Sequence, residues 1–271
     1  MKPIELVNLF YKTNLFNILP NFLVRKIRKF FKYYFIETDL DRLPNLNHPS
    51  NLNSLNQEKF IKQEQENNFI VYFQGENLIK LLTELNFNEK DQFNLLDFGG
   101  GDIKNYICLK KKYKNINYFY FDQQQHNSVM ENLKQIHNLS NFTVLKNLDE
   151  FKKYNFDFIN IGSSIQYVSN YKFLINLLTS LSSKYIFFSA TVFFQKFSNV
   201  QIEHIIVKQI NIHPQINYMY FFEMNYFINL LNKKSYKPKF FRANLADKKI
   251  NFNNFSKKYK KIEYLDVLFA K

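Results

Sequence analysis

Short apolar runs alternate with helical patterns between about residues 93 and 190. The runs predict buried strands, and the apolar residues between them recur at spacings of three and four, which predicts helices with one buried face. This alternation predicts an α/β domain with a parallel sheet. The predicted strands are Phe93 to Phe98, Ile116 to Phe121, Phe142 to Leu145, Phe156 to Ile161 and Tyr185 to Ser189.

Helical patterns follow several of these strands. Ser128 is a candidate N-cap for a helix whose buried face ends at Ile136, and Asn170 is one for a helix from Phe173 to Leu181. Two late strands, Pro238 to Arg242 and Ile262 to Phe269, have no helix between them, so we expect them to pair antiparallel. Further helices are predicted from Gly75 to Leu85 and from Met224 to Leu231.

The N-terminal part of the chain has a different pattern. Residues 1–68 are interpreted as a helical, basic extension followed by a polar linker over 42–68. Basic and aromatic residues interleave over 25–35, which raises the hypothesis of peripheral contact with an anionic membrane. An ordinary helix with extended lysines, packed on the main domain, is the preferred interpretation. Residues 69–271 would form the main domain, with an insertion at about 191–220.

Composition adds few constraints. The net charge is +14, but the lysines are dispersed and Asn, Ile, Phe and Tyr are abundant too, so we expect no nucleic-acid partner. The single cysteine, Cys108, is interpreted as a small core residue. No apolar run approaches the roughly 20 residues that span a bilayer, and the N-terminus lacks a signal-peptide pattern. A cytoplasmic location follows, at the inner face of the membrane if the basic segment binds there. No metal site is expected.

Three glycines stand together after the first predicted strand of the domain. The run Asp97-Phe98-Gly99-Gly100-Gly101 uses three of the five glycines in the chain. Glycine permits a tight turn and a close approach of backbone to a ligand. A strand, a glycine turn and a helix together begin a nucleotide-binding α/β domain.

Two further features fall at the ends of later strands. Asp122 ends the second strand, 25 residues after Asp97, where an acid can accept hydrogen bonds from both ribose hydroxyls. Gly162, Ser163 and Gln166 follow the fourth strand and supply an open backbone and polar atoms. The carboxyl ends of strands are where open α/β sheets bind ligands, so the combination predicts a nucleoside-bearing ligand.

The ligand is expected to lack phosphates. Gly99 and Gly101 match the dinucleotide fingerprint, but Lys104 stands where its third glycine belongs, and there is no phosphate-binding P-loop. The charge of Asp97 suits the cationic groups of S-adenosyl-L-methionine better than a pyrophosphate.

The glycine turn, Asp122 and the two late strands resemble class I S-adenosylmethionine-dependent methyltransferases. The resemblance implies a Rossmann-like α/β sheet of seven strands, the last antiparallel, with helices on both faces. The segment Gly162 to Tyr167 more narrowly resembles a bacterial methyltransferase family often encoded with surface-polysaccharide genes, over roughly residues 70–245. That family carries an acid, Arg, Thr, Pro and Phe after the fifth strand, whereas this chain has Ser189-Ala190-Thr191-Val192-Phe193.

The resemblance also assigns roles. The turn, Asp97 to Gly101, would hold the methionine part of the cofactor. Asp122, beside Gln123, would bind the ribose, and Leu148 and Asp149 the adenine. Gly162 and Ser163 would border the sulfonium. On the acceptor side, Gln166, Thr191 and His204 would bind the acceptor, with His213 and Tyr167 as catalytic residues and His204 as a second candidate base.

The implied activity is transfer of a methyl group to oxygen or nitrogen of a carbohydrate or other small acceptor. Two alternatives stay open, a nicotinamide-dependent oxidoreductase and a non-catalytic binding module with the same fold. An enzyme that methylates adenine in nucleic acid is disfavoured, because Gly162-Ser163-Ser164-Ile165 replaces the Asn/Asp-Pro-Pro-aromatic tetrad which that chemistry uses.

Overall fold

A computed structural model describes residues 35–44, 54–66, 73–181, 183–197, 202–209, 217–244, 255 and 259–271. The chain divides into two compact units. Unit A comprises Pro49–Ser164, Leu174–Phe188 and Leu268–Lys271, and unit B comprises Met1–His48, Ile165–Phe173 and Ser189–Val267.

The described elements follow one another along the chain as strands, helices and two short 3-10 helices. In chain order they are β1 (Phe35–Glu37), α1 (Ser54–Gln65), α2 (Phe73–Glu84), β2 (Asn94–Phe98), α3 (Lys104–Lys112), β3 (Asn117–Phe121), α4 (Gln124–His137), β4 (Phe142–Val144), the 3-10 helix Leu148–Lys153, β5 (Phe158–Gly162), the 3-10 helix Ile165–Tyr167, α5 (Tyr171–Ser180), β6 (Tyr185–Lys196), β7 (His204–Gln209), β8 (Asn217–Glu223), α6 (Met224–Asn232), β9 (Lys237–Ala243) and β10 (Tyr259–Ala270).

Unit A is built on parallel strands in the order β5-β2-β3-β4. Strand β2 is central, and Leu95 and Leu96 are completely buried, as expected for a strand covered on both faces. In register, Asp97 on β2 lies between Tyr120 on β3 and Asn160 on β5. The carboxyl ends of these strands, with the loops that follow them, therefore lie at one edge.

Unit B contains strands in the order β1-β7-β8-β6. Strand β8 is antiparallel to β7 and parallel to β6, and β1 is antiparallel to β7. Strand β10 pairs with β6 and β9, so the predicted pairing of the two late strands is confirmed. Aromatic rings dominate this core, and Phe35 and Phe221 pack edge to face at 5.2 Å.

The strand count differs from the prediction. The described residues contain ten strands and not seven, because β1, β7 and β8 were not predicted as strands. Strands β7 and β8 lie mostly within the predicted insertion at 191–220. Strand β1 contradicts a helical extension over Phe35–Glu37, where the complete burial of Phe35 favours pairing with β7. Residues 1–34 of the predicted extension lie outside the described residues.

Helix α1 is a second correction, because it lies where the sequence predicts a polar linker. Among the side chains described in this helix, Gln57 and Ile61, four residues apart, are buried. One of the two is polar, which weakens the apolar periodicity that predicts a helix.

The N-termini of α4 and α5 show which of the predicted N-caps form. Asn170 Oδ1 accepts a hydrogen bond from Phe173 N at 3.2 Å, which confirms the cap before α5. The Ser128 cap is wrong, because α4 begins at Gln124 and the Ser128 hydroxyl donates to the Gln124 carbonyl inside the helix. Cys108 is confirmed as a core residue, at 1% exposure.

Candidate functional site

The glycine turn joins β2 to α3 at the carboxyl edge of unit A. Gly99 and Gly101 adopt φ angles of 66° and 68°, a region that residues with a Cβ enter at a cost. Gly99 N donates to the carbonyl of Phe121 at 2.7 Å, which fastens the turn to the end of β3. A Cβ added at Gly101 would meet nothing within 4 Å, so this side of the turn is open.

Asp97 lies under the turn and is completely buried. Its carboxylate accepts hydrogen bonds from the Tyr118 hydroxyl, from Asn160 Nδ2 at 2.7 Å and from Asn105 Nδ2 at 3.2 Å. Burial raises the pKa of Asp97, and the three donors only partly offset this effect. A Cβ at Gly100 would lie 2.6 Å from Asp97 Oδ2, so the turn rests directly on this carboxylate.

Asp122 follows β3 and contacts the turn directly. Its Oδ2 accepts from Gly101 N at 3.0 Å and lies 3.2 Å from His126 Nδ1, while Oδ1 accepts from Gln123 N at 2.7 Å. Burial opposes ionisation of Asp122, but these interactions outweigh it, and its pKa is lowered. Asp122 is therefore an ionised carboxylate at neutral pH. A buried acid without such partners would hold a proton instead.

Asn127 is a site residue that sequence reasoning missed. Its Oδ1 accepts from Asp122 N at 2.8 Å, and its Nδ2 donates to the Leu145 carbonyl at 3.0 Å. It thereby fixes the backbone at the ends of both β3 and β4. The available signal was an asparagine three residues before Met130, on the buried face of α4.

The loop after β5 packs against the glycine turn. Ser164 Oγ donates to the Phe98 carbonyl at 3.2 Å, and Ser163 has a φ angle of 53°. A Cβ at Gly99 would lie 2.3 Å from Ser164 Cβ, and one at Gly162 would lie 3.6 Å from the Gly99 carbonyl oxygen. The structure thus brings together the predicted residues Asp97, Gly99 to Gly101, Asp122, Gly162 and Ser163.

The residues predicted near adenine are more exposed. Leu148 is half-buried and Asp149 exposed, and both begin the 3-10 helix that Asn147 caps. The Asp149 carboxylate lies 3.6 Å from Lys152, on the same short helix. Gln123, next to Asp122, is also exposed.

The first two N–H groups at the start of α3 donate to protein acceptors. Lys104 N donates to Asp102 Oδ1 at 2.9 Å, and Ile103 N donates to Gln57 Oε1 at 3.0 Å. Lys104 Nζ also lies 2.6 Å from Asp102 Oδ2. A pyrophosphate binds where helix-start N–H groups are free, so this helix end does not suit one. Gln57 is the second residue that sequence reasoning missed.

Four of the residues predicted for the methyl-acceptor side have described positions, and all four lie in unit B: Gln166, Tyr167, Thr191 and His204. Gln166 is completely buried, and its Nε2 donates to the Ala190 carbonyl at 3.2 Å. Thr191 is also completely buried, and its hydroxyl donates to the Ser189 carbonyl at 3.4 Å. Tyr167 is 43% exposed. His213 lies outside the described residues.

His204 begins β7 and contacts the start of α5. Its Nδ1 lies 3.0 Å from the hydroxyl of Tyr171. Burial lowers the pKa of His204, with Glu203 acting in the opposite direction. The imidazole is therefore neutral at pH 7.

The described residues contain neither a cluster of metal-binding side chains nor a membrane-spanning helix. No group of three or more His, Cys, Asp or Glu side chains there could hold a metal ion. Within the same ranges, no helix has both the length and the apolar character to cross a membrane.

Comparison with known proteins gives structural matches only. No protein-family model matches the chain, and neither does any curated protein sequence. The N-terminal domain of EvdMO1, solved in the presence of SAH and D-fucose, matches 73% of this chain and 82% of its own, with 10% identity and a TM-score of 0.50. An S-adenosylmethionine-dependent methyltransferase from Clostridium acetobutylicum matches 80% of this chain and 99% of its own, with 13% identity and a TM-score of 0.48.

The chain therefore has a Rossmann-like class I methyltransferase fold, as predicted from the sequence. At 10% identity, the likeness to EvdMO1 establishes the fold alone.

Proposed function

We propose that this protein is an S-adenosylmethionine-dependent methyltransferase that methylates oxygen or nitrogen of a carbohydrate or other small acceptor. The contact between Asp122 and Gly101 carries this proposal. It places an ionised carboxylate and an open glycine turn side by side at the carboxyl edge of a parallel sheet. A ribose needs a hydrogen-bond acceptor at this position, and the rest of the cofactor needs backbone that it can approach.

The charges around the turn fit this cofactor. Asp122 is ionised, and Lys104, at the start of α3, is paired with Asp102. A negative local field favours the sulfonium and ammonium groups of S-adenosylmethionine and opposes phosphates. We assign the ribose hydroxyls to Asp122, with Gln123 beside it, and the methionine part to the turn above Asp97.

We assign the remaining residues to the adenine and the sulfonium of the cofactor. Leu148 and Asp149 would border the adenine, whose amino group would donate to the exposed Asp149 carboxylate. Gly162 and Ser163 would border the sulfonium, because they lie at the carboxyl end of β5 next to the glycine turn, with the Cβ position of Gly162 3.6 Å from the Gly99 carbonyl oxygen. Asp97 would act through the turn, since its buried oxygens already accept three hydrogen bonds.

When bound, S-adenosylmethionine supplies an electrophilic methyl group on sulfur. The contribution of the protein is then to align the acceptor atom with that methyl and to exclude water. For a hydroxyl acceptor, the O–H proton must pass to a base as the C–O bond forms and the C–S bond breaks. His213 and Tyr167 are proposed for this side of the reaction, and Gln166, Thr191 and His204 for binding the acceptor.

A carbohydrate is the favoured acceptor class. EvdMO1, which shares the fold, was solved with D-fucose present. The resemblance of Gly162 to Tyr167 to a family encoded with surface-polysaccharide genes points in the same direction. We place the enzyme in the cytoplasm, and at the inner face of the membrane if the basic segment 25–35 binds an anionic surface.

The proposal is tested by turnover with an acceptor panel. Purified full-length protein is incubated with S-adenosylmethionine and with free sugars, nucleotide sugars or amines, and formation of S-adenosylhomocysteine is measured. We expect turnover with a carbohydrate, and its loss in Asp122→Ala. If the protein binds S-adenosylhomocysteine but turns over no acceptor, it is a binding module. If it binds NAD instead, it is an oxidoreductase.

A further inference from the structure

Tyr171 and His204 form a close pair in unit B that the assignments above do not explain. Tyr171 is the first residue of α5 and is 2% exposed, while His204 begins β7. The hydroxyl and Nδ1 are 3.0 Å apart, and the two rings are perpendicular, with centroids at 5.5 Å. The side-chain contact therefore joins two elements 33 residues apart in sequence.

Aromatic packing holds this pair in place. The ring of Tyr220 on β8 lies 4.5 Å from His204 and 5.3 Å from Tyr171, measured between centroids. The Tyr220 hydroxyl donates to the Ser169 carbonyl at 3.2 Å, and this anchors the segment that leads into α5. The Phe222 ring also packs against Tyr171, with the two ring centroids 4.9 Å apart. Tyr220 thus packs against both rings of the pair, and Phe222 packs against Tyr171 as well.

The charged groups around the pair are partnered with one another. Lys172, which follows Tyr171, forms an ion pair with Glu203, which precedes His204. Lys172 Nζ also lies over the Tyr226 ring, 5.5 Å from its centroid. Glu203 favours the charged imidazole and Lys172 opposes it, but burial is the largest influence, so His204 is neutral. Burial also keeps the Tyr171 phenol protonated, by raising its pKa.

Two neutral groups can share this hydrogen bond in only two ways. In one, Tyr171 donates to Nδ1, and the imidazole proton is on Nε2. In the other, Nδ1–H donates to the phenol oxygen, and the buried phenol proton needs another acceptor. Among the described residues, the Tyr171 hydroxyl has no acceptor other than Nδ1. The second arrangement would leave a buried donor unsatisfied, so the first is favoured.

We infer that Tyr171 is a positioning residue that holds His204 in its Nε2–H tautomer, so that His204 offers a hydrogen-bond donor to the acceptor molecule. The role toward an acceptor rests on the proposed function. A neutral imidazole with its proton on Nε2 cannot remove a proton there, so His204 is not the base. An acceptor that suits it has an oxygen lone pair next to the methylated atom, as neighbouring hydroxyls of a sugar do.

The tautomer is measured directly by long-range ¹H–¹⁵N correlation spectra of histidine-labelled protein. His204→Gln identifies the His204 signals among those of the five histidines. In the wild type at pH 7 we expect the Nε2–H pattern, and in Tyr171→Phe a shift toward a mixture of tautomers. Tyr226→Phe is the matched control, because its phenol faces Lys172 and Glu203, and it should leave the pattern unchanged. An Nδ1–H pattern in the wild type, or an unchanged pattern in Tyr171→Phe, would overturn the inference.

Kinetics separate a donor from a base. The amide of glutamine can replace an Nε2–H donor but cannot replace a base, so His204→Gln should raise the acceptor KM severalfold and retain most of kcat. A fall in kcat of a hundredfold or more would make His204 the base. The NMR result needs no turnover, so failure of the methyltransferase proposal and failure of the tautomer inference are observed separately.

Discussion

The carboxylate of Asp122 accepts a hydrogen bond from the backbone N–H of Gly101 at 3.0 Å, so the acid after β3 holds the glycine turn after β2. The two features that sequence analysis assigned to one ligand are thus in direct contact. Burial alone would favour the protonated form of Asp122. The contacts with His126, Gln123 and Gly101 keep it ionised, so a charged carboxylate organises the ligand site.

Two glycine substitutions should separate the contribution of the turn to protein stability from its contribution to ligand binding. Gly99→Ala and Gly101→Ala both impose a positive φ on alanine, at about 1–2 kcal/mol each. Only Gly99→Ala also forces a methyl to 2.3 Å from Ser164 Cβ. We expect the larger loss of thermal stability in Gly99→Ala, with about 2–4 °C for each kcal/mol.

Gly101→Ala should instead impair binding of S-adenosylhomocysteine, because its methyl enters the open side of the turn. Differential scanning fluorimetry with and without S-adenosylhomocysteine measures both effects. Equal stability losses in the two variants, with ligand affinity intact in Gly101→Ala, would contradict this description of the turn.

Asp97 and Asp122 should give opposite pH dependences of stability. The pKa of Asp97 is raised from 3.8, so between 3.8 and the raised value the folded protein keeps a proton that the unfolded chain has lost. Its contribution to stability therefore falls as pH rises through that window. The pKa of Asp122 is lowered from 3.8, so its contribution is present above 3.8 and is lost as pH falls through the lowered value.

Urea unfolding of the wild type, Asp97→Asn and Asp122→Asn across this pH range tests both signs. The stability of the wild type relative to Asp97→Asn should fall with rising pH, and that relative to Asp122→Asn should fall with falling pH. Two slopes of the same sign would refute the assignment of the two carboxyl groups.

Gln57 should stabilise the protein through a backbone group far along the chain. Gln57→Leu leaves the buried Ile103 N–H without its acceptor, which costs about 1–3 kcal/mol. Lys59→Leu, at an exposed position of the same helix, is the control and should change stability little. The free energies of unfolding in urea decide between them. A loss no larger in Gln57→Leu than in Lys59→Leu would show that this contact is unimportant.

Ala190 should tolerate glycine unusually well. It has a φ angle of 46° inside β6, held by Asp266 Oδ1, which accepts from Ala190 N at 2.8 Å. Relief of about 1–2 kcal/mol of strain offsets the chain entropy that glycine adds, about 0.5–1 kcal/mol. Ala190→Gly should be neutral or stabilising in thermal unfolding, whereas Ala270→Gly, in β10 and without a positive φ, should destabilise. Equal losses at both positions would contradict strain at Ala190.

The parts of the site that sequence analysis identified are those with a local pattern. Asp97 and Asp122 each end an apolar run, and runs of glycine are rare in this chain, so their positions at the carboxyl edge followed from periodicity. Gln57 and Asn127 were missed because their roles depend on hydrogen bonds between side chain and backbone across 46 and 18 residues. Such contacts impose no repeating pattern on either segment.

Strand β8 of unit B was not predicted, for another reason. Strand β8 is an aromatic run that leads into α6 without a break, because Glu223 both ends the strand and caps the helix through Tyr226 N at 2.6 Å. Without a glycine or proline between them, the apolar residues of the strand and of the helix merge into one segment. The pairing of Tyr171 with His204 was likewise invisible, since it depends on how β7 pairs with β8.

Calorimetric titration with S-adenosylhomocysteine, beside NAD and NADP, tests the central claim most directly. We expect the wild type to bind S-adenosylhomocysteine with micromolar affinity and neither nicotinamide cofactor. Asp122→Ala should lose at least about tenfold in affinity, because a hydrogen bond to a charged group contributes about 1.5–3 kcal/mol. Glu131→Ala, which removes only a surface carboxylate 3.9 Å from Lys134, should bind like the wild type. Absence of binding by the wild type, or binding of NAD in its place, would contradict the account.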